Sequence, residues 1–253
     1  SDAINAIVET TVKNAPMFDF VASDSISHTG WRVPEELTDK LQQAFAELPR
    51  LYIADGHHRA ASAARTRAAL VENHTDTVET GRVLSVIFPA SQLKILAYNR
   101  LILNLGIFTP EQFMEKMQAS CKMKPVDNPV PDSIGKCCMY FQGQWYEITL
   151  EQPPADASVI DKLDVSILQH DILAPVLCID DPRTSRRIDF VGGIRGTAEL
   201  ERRVDSGEAI VAFSMYPTTL DQLMDIADND EIMPPKSTWF EPKLRDGLFV
   251  HEI

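Results

Sequence analysis

Leu51-Tyr52-Ile53-Ala54-Asp55-Gly56-His57-His58-Arg59-Ala60-Ala61 is the stretch on which the reading of this chain depends. The first four residues predict a short buried strand. Asp55-Gly56 predicts a sharp turn, because glycine reaches backbone angles closed to other residues. The alanines that follow predict a helix to about Asn73, and Ala60, Ala61, Ala63 and Ala64 predict that it packs closely. A strand that enters a helix through such a turn leaves unpaired N–H groups at the helix start, where an anion is favoured.

The side chains add chemistry to that backbone. Arg59 offers a planar fork of donors suited to phosphate. His57 and His58 donate hydrogen bonds or move protons near neutral pH. Asp55 is placed to hold a hydroxyl or a magnesium ion. The plain alternative is an Asp-Gly turn before a helix with a polar first turn. A metal held by the two histidines is disfavoured, because adjacent helical residues point apart and no third ligand accompanies them.

Outward from the turn, Ile95–Leu103 predicts an apolar strand interrupted by Tyr98-Asn99-Arg100. Asn99 and Arg100 are costly there without partners, so they face a polar pocket or Arg100 lies on an edge. Met233-Pro234-Pro235-Lys236-Ser237-Thr238 is stiffened by two prolines. It presents Lys236, Ser237 and Thr238 to a phosphate or carboxylate, or it is a rigid surface turn. His28-Thr29-Gly30-Trp31 sets an aromatic beside a histidine, to cover a base or small substrate or to plug the core. Gly192-Gly193-x-x-Gly196 follows a predicted strand but opens no clear helix, and does not read as a dinucleotide site.

The remaining pattern predicts helices at 3–13 and 34–48, one opened by Thr109-Pro110-Glu111-Gln112, one from Asp164 to Leu173 capped by Asp164, one at 200–205 and one from Thr218. Strands are predicted at 83–88, 136–141, 145–150, 188–191, 209–215 and 248–251, with irregular chain at 14–31 and a proline loop at 125–132. The class is α+β, a mixed sheet with packed helices. A boundary is expected near Gln152–Ala157, dividing residues 1–150, which hold the phosphate turn, from 151–253, which pack on the same site.

The chain has 253 residues, with 24 Lys+Arg against 37 Asp+Glu and a formal charge of −13. That balance opposes a surface built for nucleic acid or anionic membrane, both of which need Lys and Arg at phosphate. No apolar run approaches the ~20 residues that span a bilayer. Four cysteines without a CxxC spacing indicate neither a disulfide framework nor a zinc site, and a cytoplasmic location is expected.

The turn and its flanks resemble the signature of the family catalogued as domain of unknown function 1015. The resemblance extends over His28 with Trp31, Tyr98-Asn99-Arg100, the helix 163–173, Phe213 to Thr219 ending in Tyr216-Pro217-Thr218-Thr219, and Met233 to Thr238 with Phe240, Pro242-Lys243 and Gly247-Leu248. Gln169-His170-Asp171 departs from it by one position. The turn is also similar to the phosphate-gripping turn of the ParB/sulfiredoxin superfamily, and within it to the free serine kinases. The absence of cysteine from the turn excludes sulfiredoxin chemistry, and the acidic charge disfavours the DNA-binding relatives. The resemblance implies a kinase of free serine or a similar hydroxyl metabolite, using ATP or ADP with magnesium. In it Asp55 acts near the substrate hydroxyl or the metal, and His57, His58 and Arg59, with backbone groups around Gly56, hold the transferred phosphate; Asn99, Arg100, Lys236, Ser237, Thr238, His28 and Trp31 are the further candidate binding residues. It also implies a longer protein, of which the start at Ser1 fits a C-terminal fragment, and a glutamate base upstream of the turn, to be sought in the missing portion or among Glu9, Glu35 and Glu36. The alternative is a nucleotide- or phosphometabolite-binding module without turnover.

Overall fold

The computed structural model describes residues 1–252, with His57 and His58 described through their backbone alone. The chain forms two compact units, Ser1–Ile53 and residues 54 onward. The expected boundary near residue 150 falls inside the second unit.

The first unit holds helix α1 (Asp2–Thr11), hairpin β1–β2 (Phe18–Val21 and Ser27–Gly30) and helix α2 (Glu35–Ala46). The hairpin replaces the irregular chain predicted at 14–31. It turns at Asp24, whose Oδ1 accepts the Ile26 N–H at 3.2 Å. Both of its strands are largely exposed, and Ser27-His28-Thr29-Gly30 offers no large apolar side chain to mark a strand.

In the second unit the chain enters helix α3 (His57–Glu72) and reaches β3 (Lys94–Leu96) and β4 (Tyr98–Ile102). Helix α4 (Pro110–Ser120), β5 (Lys122–Val126), β6 (Lys136–Phe141) and β7 (Gln144–Thr149) follow. Helix α5 (Asp164–Leu168) continues into a wider turn at Gln169–Leu173. Then come β8 (Ile188–Gly192), helix α6 (Ala198–Asp205), β9 (Val211–Met215), helix α7 (Leu220–Asp228) and β10 (Trp239–Glu241).

Six strands make one sheet in the order β5-β7-β6-β9-β4-β8, and every described pairing in it is antiparallel. The fold class is therefore α+β. Strand alternation divides the side chains between two faces. One face carries Met139, Phe141, Ile148, Phe213 and Ile102, buried under α4, α5 and the wide turn with Phe113, Met117, Leu168 and Leu173. The other carries Leu101, Tyr140, Trp145 and Ala212, covered by Leu200 of α6. Two hydrogen bonds fasten α6 there: Trp145 Nε1 donates to Glu201 at 2.7 Å, and the Tyr140 hydroxyl to Asp205 at 3.0 Å.

The two-residue turn between β6 and β7 has Gln142 and Gly143 at φ 49° and 80°, the left-handed pair whose twist suits a tight hairpin. Thr109 opens α4 with both halves of the predicted capping box, Gln112 N–H to Thr109 Oγ1 and Thr109 N–H to Gln112 Oε1. Pro125 lies in β5 and not in a loop. That strand is an outer one of the sheet, where a residue without an N–H is tolerated.

Other expectations are corrected. Leu51–Ala54, 83–88 and 248–251 are not strands. Leu51 is 58% exposed and Val83 also 58%, and no described strand pairs with any of the three runs. A strand needs a hydrogen-bonded neighbour, and apolar composition does not supply one. The alanines of α3 are exposed or half-exposed within their unit, so the close packing predicted for them is absent there. Asp164 does not cap its own helix; its carboxylate accepts the Gly135 N–H at 3.0 Å.

The predicted strand 95–103 is two strands. β3 pairs with β10 and β4 with β8 and β9, and the chain changes ladder at Ala97. Gly192-Gly193 permits the crossing. A Cβ on Gly193 would lie 2.7 Å from the Ala97 carbonyl oxygen, and one on Gly192 2.3 Å from the Trp239 ring.

Candidate functional site

Gly56 adopts φ 91° and ψ 21°, the left-handed region, and so sends the chain directly into α3. The helix has no side-chain cap. Its first internal hydrogen bond runs from Ala60 N–H to Gly56 C=O at 2.9 Å, which leaves the first-turn N–H groups without helical partners. Asp55 turns back on the bend, its Oδ1 accepting the Gly56 N–H at 2.9 Å.

Two cations flank Asp55. Arg59 Nη2 and Lys243 Nζ each lie 4.0 Å from its Oδ2. The Arg59 side chain is 74% exposed, and the guanidinium lies over the open face of Gly56, where a Cβ would stand 3.2 Å from Nη2. Exposed pairs at this distance are weak, so both cations are available to a stronger anion.

From Lys243 the contacts continue. Its Nζ stands 5.1 Å above the Trp239 ring, Trp239 meets Tyr98 edge-on at 5.6 Å, and Lys236 Nζ lies 5.4 Å from the Tyr98 ring and 3.4 Å from its hydroxyl. Lys236 is itself held at φ 59°, a left-handed geometry that a non-glycine residue adopts at a cost. The structure thus links Asp55, Gly56 and Arg59 to Lys236 through Lys243, Trp239 and Tyr98. Lys243 and Trp239 were not among the expected binding residues. Their signal was the spacing that puts an aromatic and a lysine on either side of Pro242.

Arg100 and Ser237 sit further in. Arg100 shares one face of β4 with Tyr98, is 5% exposed, donates to the Tyr98 carbonyl, and stands 5.8 Å from the Phe190 ring. Burial lowers its pKa to about 10. Ser237 is 2% exposed, and its carbonyl accepts from the Thr218 hydroxyl at 3.2 Å. Thr238 is half-buried beside it.

Other expected residues make contacts of their own. Asn99 lies on the opposite face of β4, and its Oδ1 accepts the Met215 N–H at 3.0 Å; it ties β4 to β9. His28 and Trp31 belong to the first unit. The His28 ring stacks 5.3 Å from Phe20, and the Trp31 indole donates to the Asn14 carbonyl at 3.0 Å. The side chains of His57 and His58 lie outside the described residues.

Among the described residues no three His, Cys, Asp or Glu gather as a metal site, and the four cysteines are free. No described helix is long and apolar enough to cross a membrane.

A family model described as "Protein of unknown function (DUF1015)" matches residues 1–166. No curated protein sequence matches the chain. Among solved structures, a mutant free serine kinase in complex with AMP is similar at 14% identity, over 94% of this chain and 79% of that one, with a TM-score of 0.42. A mutant in complex with ADP is similar at 13% identity, over 94% and 80%, with a TM-score of 0.40. A conserved hypothetical protein from Pyrococcus furiosus is similar at 15% identity, over 74% and 68%, with a TM-score of 0.40.

Proposed function

This chain belongs to the DUF1015 family of proteins of unknown function, and from that premise we propose that the turn at Asp55–Arg59 is the phosphate-handling centre of a small-molecule phosphotransferase. The acceptor is the hydroxyl of free serine or a similar metabolite, and the donor is ATP or ADP. The observation that carries the reading is the left-handed Gly56 before an uncapped helix, with Arg59 and Lys243 each 4.0 Å from Asp55 Oδ2.

Phosphoryl transfer asks a protein mainly for position and charge. The first-turn N–H groups of α3 and the Arg59 guanidinium hold the oxygens of the transferred group. Lys243 and Lys236 add positive charge along the Tyr98–Trp239 edge. The acceptor oxygen forms its bond to phosphorus as the bond to the nucleotide's leaving oxygen breaks, and the hydroxyl proton passes to a carboxylate. Asp55 is the carboxylate at this turn. A single exposed carboxylate also fits magnesium, which binds through one or two carboxylates plus the substrate's own phosphates. Asp55 would hold that ion, which offsets phosphate charge when bound.

One observation favours the second reading, a nucleotide- or phosphometabolite-binding module without turnover. Asp55 is the only described carboxylate paired with the Arg59 and Lys243 side chains, and Glu241 nearby is taken up by the Trp239 indole and the Lys243 N–H, so a kinase must draw its base from elsewhere or ask Asp55 to serve twice.

The full-length protein, incubated with ATP or ADP, magnesium and L-serine, is expected to yield phosphoserine by ³¹P NMR. Asp55→Asn should abolish turnover while the circular dichroism spectrum stays unchanged. Nucleotide binding without product, or product formation indifferent to Asp55→Asn, would overturn the proposal.

A further inference from the structure

Across the sheet, the row that contains Arg100 reads Tyr146, Met139, Phe213, Arg100, Phe190. A lone guanidinium thus occupies a place whose neighbours are apolar. It has five N–H donors and one described acceptor, the Tyr98 carbonyl, and no described carboxylate pairs with it. A buried cation in that condition is costly unless something else satisfies it.

Arg100 lines a cavity of about 280 Å³ beneath the loop of Pro234, Pro235 and Ser237, with Phe190 and Leu173 among its apolar walls. Two further polar atoms there lack partners. The Ser237 hydroxyl is buried and unbonded, and so is Gln169 Oε1. The Gln169 amide nitrogen donates to the Ile179 carbonyl at 2.6 Å and the Asp180 carbonyl at 3.3 Å. That fixes the amide so that its free end is an acceptor. Gln169 also opens the wide helical turn, in which Ala174 N–H reaches back five residues to Gln169 C=O at 3.0 Å. Such turns recur at functional sites. The other arginine at the cavity, Arg183, is occupied: its Nε and Nη2 grip Asp181 at 3.0 and 2.9 Å. Asp161 adds a negative charge to the lining.

We propose that this cavity binds a small ligand carrying a carboxylate with a hydrogen-bond donor beside it, the chemistry of an α-amino or α-hydroxy acid. The carboxylate accepts from Arg100 and the Ser237 hydroxyl, and the adjacent donor bonds to Gln169 Oε1. Apolar walls close on the remainder and limit its size. The binding stands on the cavity alone; that the ligand is the acceptor of the phosphotransferase rests on the proposed function. Tyr98 and Ser237 adjoin Lys236, so the cavity is next to the contacts that lead to the turn.

The test is calorimetric titration of the full-length protein, without nucleotide, with L-serine, L-lactate, L-serinamide and inorganic phosphate. Serine or lactate should bind, while serinamide, which lacks the carboxylate, and phosphate should not. The affinity for the acid should fall ~10- to 100-fold in Arg100→Met, as for loss of a charge-assisted hydrogen bond, and about tenfold in Ser237→Ala. Serine without lactate assigns the donor as an ammonium group, and binding of both leaves either donor acceptable. Failure of both acids, serinamide binding as well as serine, phosphate binding with equal affinity, or unchanged affinity in both folded variants would each overturn the proposal. Acid binding without phosphoserine formation retains the cavity and removes the kinase. Phosphoserine formation indifferent to Arg100→Met retains the kinase and removes the cavity as its acceptor site.

Discussion

Replacing Arg100 by methionine should make the ligand-free protein more stable. Burial lowers the Arg100 pKa from the ordinary guanidinium range to about 10. At 1.36 kcal/mol per pKa unit, the charged guanidinium costs the folded state about 3 kcal/mol at neutral pH, where it is protonated both folded and unfolded. Methionine removes that cost, keeps most of the buried methylenes, and adds sulfur contacts to Phe190 and Phe213. Against this, the Tyr98 carbonyl loses its donor, at about 1 kcal/mol. The net expectation is a gain of roughly 2 kcal/mol. Guanidinium titration followed by tryptophan fluorescence measures it, with an unchanged slope showing that compactness is the same. A variant less stable than the parent by about 1 kcal/mol or more would refute the reasoning, because Arg100 would then have a structural partner.

Gly56→Ala should cost about 1 kcal/mol, because φ 91° is strained for alanine. It should also weaken nucleotide binding, since the new Cβ lies 3.2 Å from Arg59 Nη2; thermal unfolding and nucleotide titration read the two effects, and unchanged affinity would separate the turn from phosphate. Asp164 is raised by burial from 3.8 to about 6, so the folded protein holds its proton more tightly than the unfolded chain. Its contribution is therefore fully present below pH 3.8 and lost as pH rises through about 6, a fall of about 3 kcal/mol. In Asp164→Asn that fall should vanish, so it should appear as the difference between the two stability–pH curves, and parallel curves would contradict the burial argument.

Local rules located much of the second unit. The Thr109–Gln112 box, the Gln142-Gly143 hairpin and the apolar run before Arg100 each carry their signal within a few residues. Leu51–Ala54 and 83–88 misled for the opposite reason. Their composition suits a strand, but pairing depends on a second segment that local pattern does not specify. The candidate site divides in the same way. Asp55, Gly56 and Arg59 are adjacent in sequence and legible as a turn. Asn99 looked equivalent to Arg100, and only the alternation of β4 sends one into the ladder and the other toward the cavity. The free oxygen of Gln169 depends on which carbonyls hold its nitrogen, a fact of tertiary structure with no periodic trace.

The crossing at Ala97 has a mechanical consequence. One backbone leaves the ladder with β10, passes the Gly193 N–H···O=C Ala97 bond of 2.7 Å, and enters the six-stranded sheet. β10 bears Trp239, between Lys236 and Lys243, and β4 bears Tyr98 and Arg100. The loop over the cavity and the strand beneath it are thus tied at Ala97 and again where Trp239 and Lys236 meet Tyr98, so the side chains that line the cavity and the lysines that lead toward the turn share one support.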